Sequence, residues 1–164
     1  MTPSPFRSRT CCRFVALAIL LSFFEQAAAF GDVAVIVHKD NPVSDISSRD
    51  LIKIFRQERQ NWESGQRVYF ILREASAPEM RVVLIKIYRM ENNEDLKTFW
   101  LSRIFREESA AFPQILTSNE AVRRFVSRVP NAVGFVDASF GDDQVKVLQI
   151  DGKLPGQTSY FLAD

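Results

Sequence analysis

The sequence predicts an α/β fold whose central, mainly parallel sheet is covered by helices on both faces. Two apolar runs, residues 33–37 and 68–72, lack any alternation of polar and apolar side chains, which is typical of strands buried on both faces. Each run is followed by a loop and then by apolar residues at helical spacing. Strands that alternate with helices pair in parallel through crossover connections, so this order predicts one doubly covered sheet.

The first 29 residues have the three parts of a secretory signal peptide. Arg7, Arg9 and Arg13 form a basic start, residues 14–24 are apolar apart from one serine, and three alanines end at Ala29, where cleavage is predicted. The apolar run is shorter than the roughly 20 residues that span a bilayer. A buried N-terminal helix and an uncleaved membrane anchor are the alternatives for this segment.

Cleavage there leaves residues 30–164 as a single domain that is periplasmic or secreted. Cys11 and Cys12 would leave with the signal peptide, so the mature domain has no thiol for a disulfide or a thiolate metal site. It keeps 18 basic and 19 acidic side chains, a net charge of −1. This balance lacks the excess of positive charge that binding to nucleic acid requires. No cofactor and no metal site are predicted, and the mature domain is not expected to span a membrane.

The first strand, predicted at residues 33–37, leads into a helix. A turn-rich segment spans residues 40–45. Ser47 and Asp50 have the spacing of a helix-capping pair. Apolar side chains then recur at helical spacing, at Leu51, Ile52 and Phe55.

The second strand, predicted at residues 68–72, also leads into a helix. Pro78 stands where the first turn of a helix accepts proline. The β-branched residues within 82–88 make a strand the rival prediction, but their apolar side chains fall on one helical arc instead of alternating. The polar arc of this predicted helix is Glu79, Lys86 and Arg89.

Two further helices are predicted in the second half of the chain. Glu94 and Asp95 begin the first of these, where acidic side chains favour the positive end of the helix dipole. Thr117 and Glu120 have the spacing of a capping box for the second, which Pro130 ends.

Two short strands, residues 132–136 and 145–150, complete the predicted sheet. Asp142 and Asp143 follow a glycine and are predicted to lie in a solvated hairpin turn between these strands. Aromatic residues such as Trp100 are predicted to be core rather than a stacking platform.

An anion site is predicted where the second strand passes into the helix that follows it. A helix N-terminus presents unpaired backbone N–H groups and the positive end of the dipole. Around the N-terminus of this predicted helix, further donors come from the side chains of Arg73, Ser76 and Arg81. The backbone N–H groups near Ala77 and Glu79 complete the site. The alternative is that these residues cap the helix and form a surface ion pair with Glu74 or Glu79.

Three polar residues directly follow the first strand, namely Asp40, Asn41 and Ser44. In a parallel sheet they would lie at the same edge as Arg73 and contribute to the same site. The alternative is a turn in which they bond to their own backbone. His38 is the only histidine, and without a second one it is predicted to be structural or solvent-exposed rather than a metal ligand or a base.

Six stretches of the mature chain occur in a recognisable order: VAVIVHKDNPVSDISSRDLIKIF, NW, REAS, FWLSRIF, NAVGFVD and VKVLQIDGKLPG. Their order and spacing resemble the phosphate-binding, periplasmic-type substrate-binding proteins of ABC transporters, especially short single-lobe members. The resemblance implies one lobe of the type II periplasmic-binding-protein fold, a periplasmic location, and phosphate contacts at Arg73 and Ser76. The chain departs from the family at Ala75, Ala77 and Pro78, where the family has glycine-rich sequence.

The predicted function is therefore that of an exported solute-binding domain that holds phosphate or another small oxyanion for an ABC-type uptake system. Its expected partners are that anion and a membrane transporter. An enzyme is not predicted, because the sequence has no Gly-rich nucleotide loop, no zinc motif and no Ser/His/Asp arrangement in recognisable context. The alternative is a periplasmic interaction or sensory accessory module that has lost solute transport and binds a protein partner.

Overall fold

A computed structural model describes residues 31–109 and 111–164. The predicted signal peptide, residues 1–29, lies outside the described residues. None of the helices in the described part of the chain combines the length and the apolar character needed to cross a membrane.

In the part of the chain that the structure describes, five strands form the central sheet, in the order β4-β3-β5-β1-β6, and a separate parallel pair joins β2 to β7. Strand β3 runs parallel to both β4 and β5, whereas β1 runs antiparallel to β5 and β6. Four of the five central strands therefore point the same way, which confirms the mainly parallel sheet. The strands are β1 (Val33–His38), β2 (Asp45–Ile46), β3 (Tyr69–Arg73), β4 (Gln114–Leu116), β5 (Ala132–Asp137), β6 (Val145–Val147) and β7 (Gln149–Ile150).

Among the described residues, four α-helices connect these strands, and the second continues directly into a π-helical turn, Leu84–Tyr88. That turn ends at Arg89, whose φ of 58° is in the left-handed region. The helical prediction for this segment is confirmed over the strand alternative. The helices are α1 (Ser48–Phe55), α2 (Pro78–Val83), α3 (Asn93–Phe105) and α4 (Asn119–Val126).

Side-chain caps fix the starts of α1, α3 and α4. Ser47 caps α1 by accepting a hydrogen bond from the N–H of Asp50, as its spacing predicts. The predicted capping box at α4 is wrong by one residue: the cap is Ser118, whose hydroxyl oxygen accepts from the N–H of Ala121. The chain enters α4 one position later than the threonine because Ser118 takes the extended conformation of a capping residue.

Both faces of the sheet are buried against helices, as predicted. Alternate residues of β1 point to opposite faces: Val33, Val35 and Val37 belong to the larger core, which includes buried side chains of α1, α2 and α3. Ala34 and Ile36 belong to the smaller core, which includes buried side chains of α4.

The chain after β5 departs from the predicted hairpin. Strand β1 lies between β5 and β6, so Asp142 and Asp143 do not form a hairpin turn. Asp142 instead pairs with Arg123 of α4. The predicted strand at residues 145–150 is two short strands in different sheets, because Leu148 interrupts it and is fully buried.

Because two tyrosine hydroxyls are buried, we expect the protein to lose stability in alkali. Tyr88 donates to the carbonyl of Phe55 (2.7 Å) and Tyr160 to that of Val33 (2.9 Å), and burial raises the pKa of both hydroxyls above the usual value near 10. Because the unfolded chain ionises first, stability is fully present below pH 10. Above pH 10, the free energy of unfolding should fall by about 1.4 kcal/mol per pH unit for each tyrosine.

Urea unfolding measured between pH 9 and 12 tests this expectation. The variant Tyr88→Phe should show a shallower pH dependence, while Tyr69→Phe, which changes a half-exposed ring, should match the unmodified protein. Equal slopes in all three proteins would contradict the assignment, since lysine titration is common to them.

Candidate functional site

Three parallel strands end at one edge of the central sheet, here called the carboxyl edge. Arg73 pairs in register with Leu116 at the ends of β3 and β4, and β5 ends beside them at Asp137. Helices α2 and α4 begin at the same edge, after β3 and β4 respectively. In sheets of this kind ligands bind beyond the carboxyl ends of the strands, so this edge is the candidate site.

A buried ion pair lies at the centre of the carboxyl edge. The side chains of Arg73 and Glu79 are only 7% and 5% exposed. Nη2 of Arg73 lies 3.7 Å from Oε2 of Glu79, which is an ion-pair distance but longer than a hydrogen bond. The charge of Arg73 is therefore balanced inside the protein.

The same glutamate links the ion pair to α4 and β5. Asn119, the first residue of α4, donates from Nδ2 to Oε1 of Glu79 at 2.5 Å. Its Oδ1 accepts from the backbone N–H of Asp137 at 3.3 Å. This chain of contacts, here called the Arg73 cluster, joins β3, α2, α4 and β5.

The Arg73 cluster has unused hydrogen-bonding capacity. Within the described residues, Nε and Nη1 of Arg73 and Oε2 of Glu79 have no hydrogen-bond partner. Buried polar groups are nearly always satisfied, and an unsatisfied one costs about 1–3 kcal/mol. Three such atoms in one buried pair therefore mark a place where a small polar ligand would gain hydrogen bonds that the protein itself does not make.

The loop from β3 to α2 is held by its own backbone. Glu74 donates its N–H to the carbonyl of Leu116, and Ala77 donates its N–H to the carbonyl of Glu74, both at 3.1 Å. The N–H of Ala77 is thus engaged in the turn, and Pro78, the first residue of α2, has none to offer. Of the backbone groups predicted for the site, the one at Ala77 already has an acceptor.

Beside this loop is a surface cleft of about 470 Å³. Ser76, Ala77 and Arg81 line it, together with Glu91 and Asp164. Arg81 and Ser76 are exposed, and the two carboxylates outnumber the one arginine. The cleft therefore has no excess of positive charge with which to attract an anion.

The structure thus divides the predicted site in two. Ser76, Ala77 and Arg81 lie at the cleft, whereas Arg73 and Glu79 belong to the buried cluster. The placement of Glu79 on a polar surface arc is wrong. As the second residue of α2 it is close enough to the end of β3 to pair with Arg73, and the ion pair buries it.

The three residues after β1 lie at the opposite edge, so the prediction that Asp40, Asn41 and Ser44 share the edge of Arg73 is wrong. Because β1 is antiparallel to β5, its last residues pair with the beginning of β5. Five residue steps along β5 separate the two edges, about 17 Å at 3.3 Å per residue. Asn41 accepts from the N–H of Val43 at 2.9 Å, which is the turn alternative.

His38 lies at that opposite edge too. It is half-buried, and its Nδ1 accepts from the N–H of Asp40 at 3.2 Å. A backbone contact of this kind is structural. It is the structural role that the sequence predicts as one of two possibilities for His38.

Asn119 and Asp137 are the parts of the cluster that the sequence analysis did not select. Both positions carried a usable signal: Asn119 follows a helix-capping serine, and Asp137 is the first polar residue after an apolar strand. In a parallel sheet both features lie at the carboxyl edge.

The strand topology is that of one lobe of the periplasmic-binding-protein type II fold. The chain belongs to the family described as the PBP superfamily domain, whose model matches residues 18–158. A curated relative, the phosphate-binding protein PstS of Bacillus subtilis (strain 168), is 29% identical over 131 residues, which are 79% of this chain and 39% of the relative.

Solved structures share the fold at lower identity. An ABC-type phosphate transport receptor from Vibrio cholerae superposes with a TM-score of 0.61 at 20% identity, over 77% of this chain and 49% of the receptor. PstS from Borrelia burgdorferi gives 0.58 at 18% identity, over 82% and 55%. The chain therefore spans about two fifths to a little over half of the length of these relatives.

Proposed function

We propose that the chain is an exported solute-binding domain that holds phosphate or a related small oxyanion at Arg73 for an ABC-type uptake system. The observation that supports the proposal is the buried guanidinium of Arg73, two of whose nitrogens have no partner among the described residues. The Bacillus subtilis relative is named a phosphate-binding protein and the Vibrio cholerae structure a phosphate transport receptor, so phosphate is the first anion to test. Export through residues 1–29 is part of the same proposal.

The proposed binding is non-covalent. Arg73 supplies a permanent positive charge, and its Nε and Nη1 donate charge-assisted hydrogen bonds to the oxyanion. The start of α2, which follows the same strand, contributes the positive end of its dipole, whereas the exposed Ser76 lines the separate cleft and is not part of this contact. No bond is made or broken in the ligand.

Glu79 opposes this binding and so sets its strength. Its carboxylate already neutralises Arg73 from 3.7 Å, and a second negative group beside the same guanidinium is repelled by it. The anion must therefore displace or outweigh Glu79. Neutralising Glu79 should strengthen anion binding.

Titration calorimetry with phosphate and with sulfate tests the proposal. We expect the unmodified protein to take up phosphate and Glu79→Gln to bind it at least about tenfold more tightly, a change of about 1.4 kcal/mol. Lys86→Gln, which removes an exposed cation from the π-helical turn that continues α2, is the matched control and should leave the affinity unchanged. No uptake of either anion by the unmodified protein and by Glu79→Gln would overturn the proposal.

The internal neutralisation of Arg73 favours a second candidate function, a periplasmic interaction or sensory accessory module. Because Arg73 already has its counter-ion, Glu79, inside the protein, it does not require an anion from solution. This candidate would be supported if neither protein took up an anion while the exported chain purified in a stoichiometric complex with one protein.

A further inference from the structure

We propose that Asn119 is a positioning residue of the anion site: it holds the carboxylate of Glu79 away from Arg73 and so keeps the guanidinium open to a ligand. The part of this inference that concerns the ligand rests on the proposed function. The part that concerns the three side chains does not. Asn119 acts on binding through Glu79 and not by contact with the anion.

The Arg73–Glu79 pair is close without being hydrogen-bonded. Arginine and carboxylate side chains frequently form two parallel hydrogen bonds of about 2.7–2.9 Å. Here Nη2 of Arg73 lies 3.7 Å from Oε2 of Glu79, and Oε2 accepts no hydrogen bond in the described part of the chain. Because both side chains are buried, each would gain from a closer contact. A third group must therefore hold them apart.

Asn119 accounts for this gap by engaging the other carboxylate oxygen. Its Nδ2 donates to Oε1 of Glu79 at 2.5 Å, so that oxygen is already bonded to a residue of α4. A carboxylate forms the paired bonds with an arginine only when both of its oxygens face the guanidinium. With Oε1 held by Asn119, Glu79 approaches Arg73 through Oε2 alone.

The amide of Asn119 is itself anchored. Its Oδ1 accepts from the backbone N–H of Asp137 in β5 at 3.3 Å, and its backbone lies in the first turn of α4, which Ser118 caps. The amide cannot be reversed, because a carboxylate offers only acceptors and a backbone N–H only a donor. Asn119 is therefore fixed to the sheet and can resist the attraction between Glu79 and Arg73.

The backbones of the two charged residues are fixed as well. Arg73 pairs in register with Leu116 at the ends of β3 and β4. Glu79 follows Pro78, whose ring restricts the first turn of α2. Rotation of the Glu79 side chain is then the movement that would close the gap, and Asn119 opposes that rotation.

The gap matters because a closed pair would compete with the ligand. If Glu79 made two hydrogen bonds to Arg73, the anion would have to break both before it could bind. As arranged, Nε and Nη1 of Arg73 have no partner among the residues that the structure describes. Asn119 therefore keeps donors available to the anion, while Glu79 still balances the charge of Arg73 before the anion arrives.

Titration calorimetry with phosphate tests this role in the unmodified protein, Asn119→Ala, Glu79→Gln and the double variant. We expect Asn119→Ala to weaken binding at least about tenfold, because Glu79 is then free to bond to Arg73. In the Glu79→Gln background the same substitution should change the affinity by no more than about twofold, since no carboxylate is left to hold back. Asn61→Ala is the control. Asn61 is exposed and pairs with Arg67 ahead of β3, at the other end of that strand from Arg73, so its replacement should leave the affinity unchanged.

Two results of the titration would contradict the role of Asn119. Equal weakening in both backgrounds would mean that Asn119 contacts the anion or supports the fold without acting through Glu79. No weakening in the unmodified background would mean that Asn119 does not hold the site open. Asn119→Ser, whose side chain is too short to reach both partners, should reproduce the alanine result and replaces that variant if it does not fold.

Urea denaturation tests the positioning of Glu79 without an anion. If Asn119 holds the pair apart, its removal lets Arg73 and Glu79 bond directly, and Arg73 then contributes more to stability. We expect Arg73→Met to lower the folding equilibrium constant at least about fivefold more in the Asn119→Ala background than in the unmodified protein. An equal or smaller loss overturns the positioning of Glu79. If neither the unmodified protein nor Glu79→Gln takes up an anion, the proposed function is overturned instead, and with it the role of Asn119 in binding.

Discussion

We expect Arg73→Met to lower the free energy of unfolding by about 3–5 kcal/mol. The substitution leaves the carboxylate of Glu79 buried with no positive partner, and a buried uncompensated charge is far more costly than a broken surface contact. Met fills most of the volume of the arginine stem, so the loss reports the charge rather than a cavity. Urea denaturation at neutral pH measures it.

Two further variants separate the charge from other effects. The double variant Arg73→Met/Glu79→Leu removes both charges and should recover most of the lost stability, since apolar replacement of a buried pair is often neutral. Arg124→Met breaks an exposed pair with Glu120 and should cost no more than about 1 kcal/mol. If Arg73→Met costs no more than Arg124→Met, the Arg73 cluster is not a buried ion pair in solution.

Stability measurements also bear on the ligand. Glu79→Gln leaves Arg73 buried without its counter-ion, so this variant should be destabilised as well. An anion that binds the folded form would then restore stability in proportion to its concentration. Phosphate-dependent recovery in Glu79→Gln, absent in Arg73→Met/Glu79→Leu, would place the anion at Arg73.

The sheet could be predicted from the sequence because burial on both faces leaves a local signature. The unbroken run at residues 33–37 requires apolar contacts on two sides whichever neighbours the strand has. For the same reason its direction could not be predicted. A strand buried on both faces has the same pattern whether it lies parallel or antiparallel to its neighbour, and the antiparallel β1 is what moved Asp40 away from Arg73.

Short elements were beyond sequence reasoning for a different reason. Strand β4 has three residues, too few for alternation to be distinguished from a loop. It forms because β3 supplies a paired neighbour along Ile71, Leu72 and Arg73. Its place at the edge of the central sheet therefore could not be found without the structure.

The candidate site was predicted in position but not in composition. The passage from an apolar strand to a helix start located Arg73, because that pattern is local. Glu79 was among the ion-pair partners that the sequence offered for Arg73, but at the surface, since helical periodicity assigns Glu79 to a polar arc and takes no account of the strand end that faces the first turn of α2. Asn119, 40 residues further along the chain, is joined to Glu79 only by the tertiary fold.

The second large loss of stability is expected from a substitution in the aromatic core around Trp100. Trp100 is 2% exposed and stacks on Phe70 with ring centroids 5.7 Å apart, and it meets Phe99 and Tyr88 edge to face. Truncation to alanine removes these contacts and leaves a cavity that rigid neighbouring rings cannot fill. Trp100→Ala should therefore lower the free energy of unfolding by about 3–5 kcal/mol, measured by urea denaturation.

A milder substitution shows whether the ring or its N–H matters. The indole Nε1 of Trp100 has no hydrogen-bond partner within residues 31–109 and 111–164, so Trp100→Phe gives up no hydrogen bond and keeps an aromatic ring against Phe70. It should cost clearly less than Trp100→Ala, while Ile85→Ala, at a half-exposed site on the π-helical turn, should stay within about 0.5 kcal/mol. Equal losses for Trp100→Phe and Trp100→Ala would mean that a polar contact of the indole, rather than aromatic packing, joins α3 to the sheet.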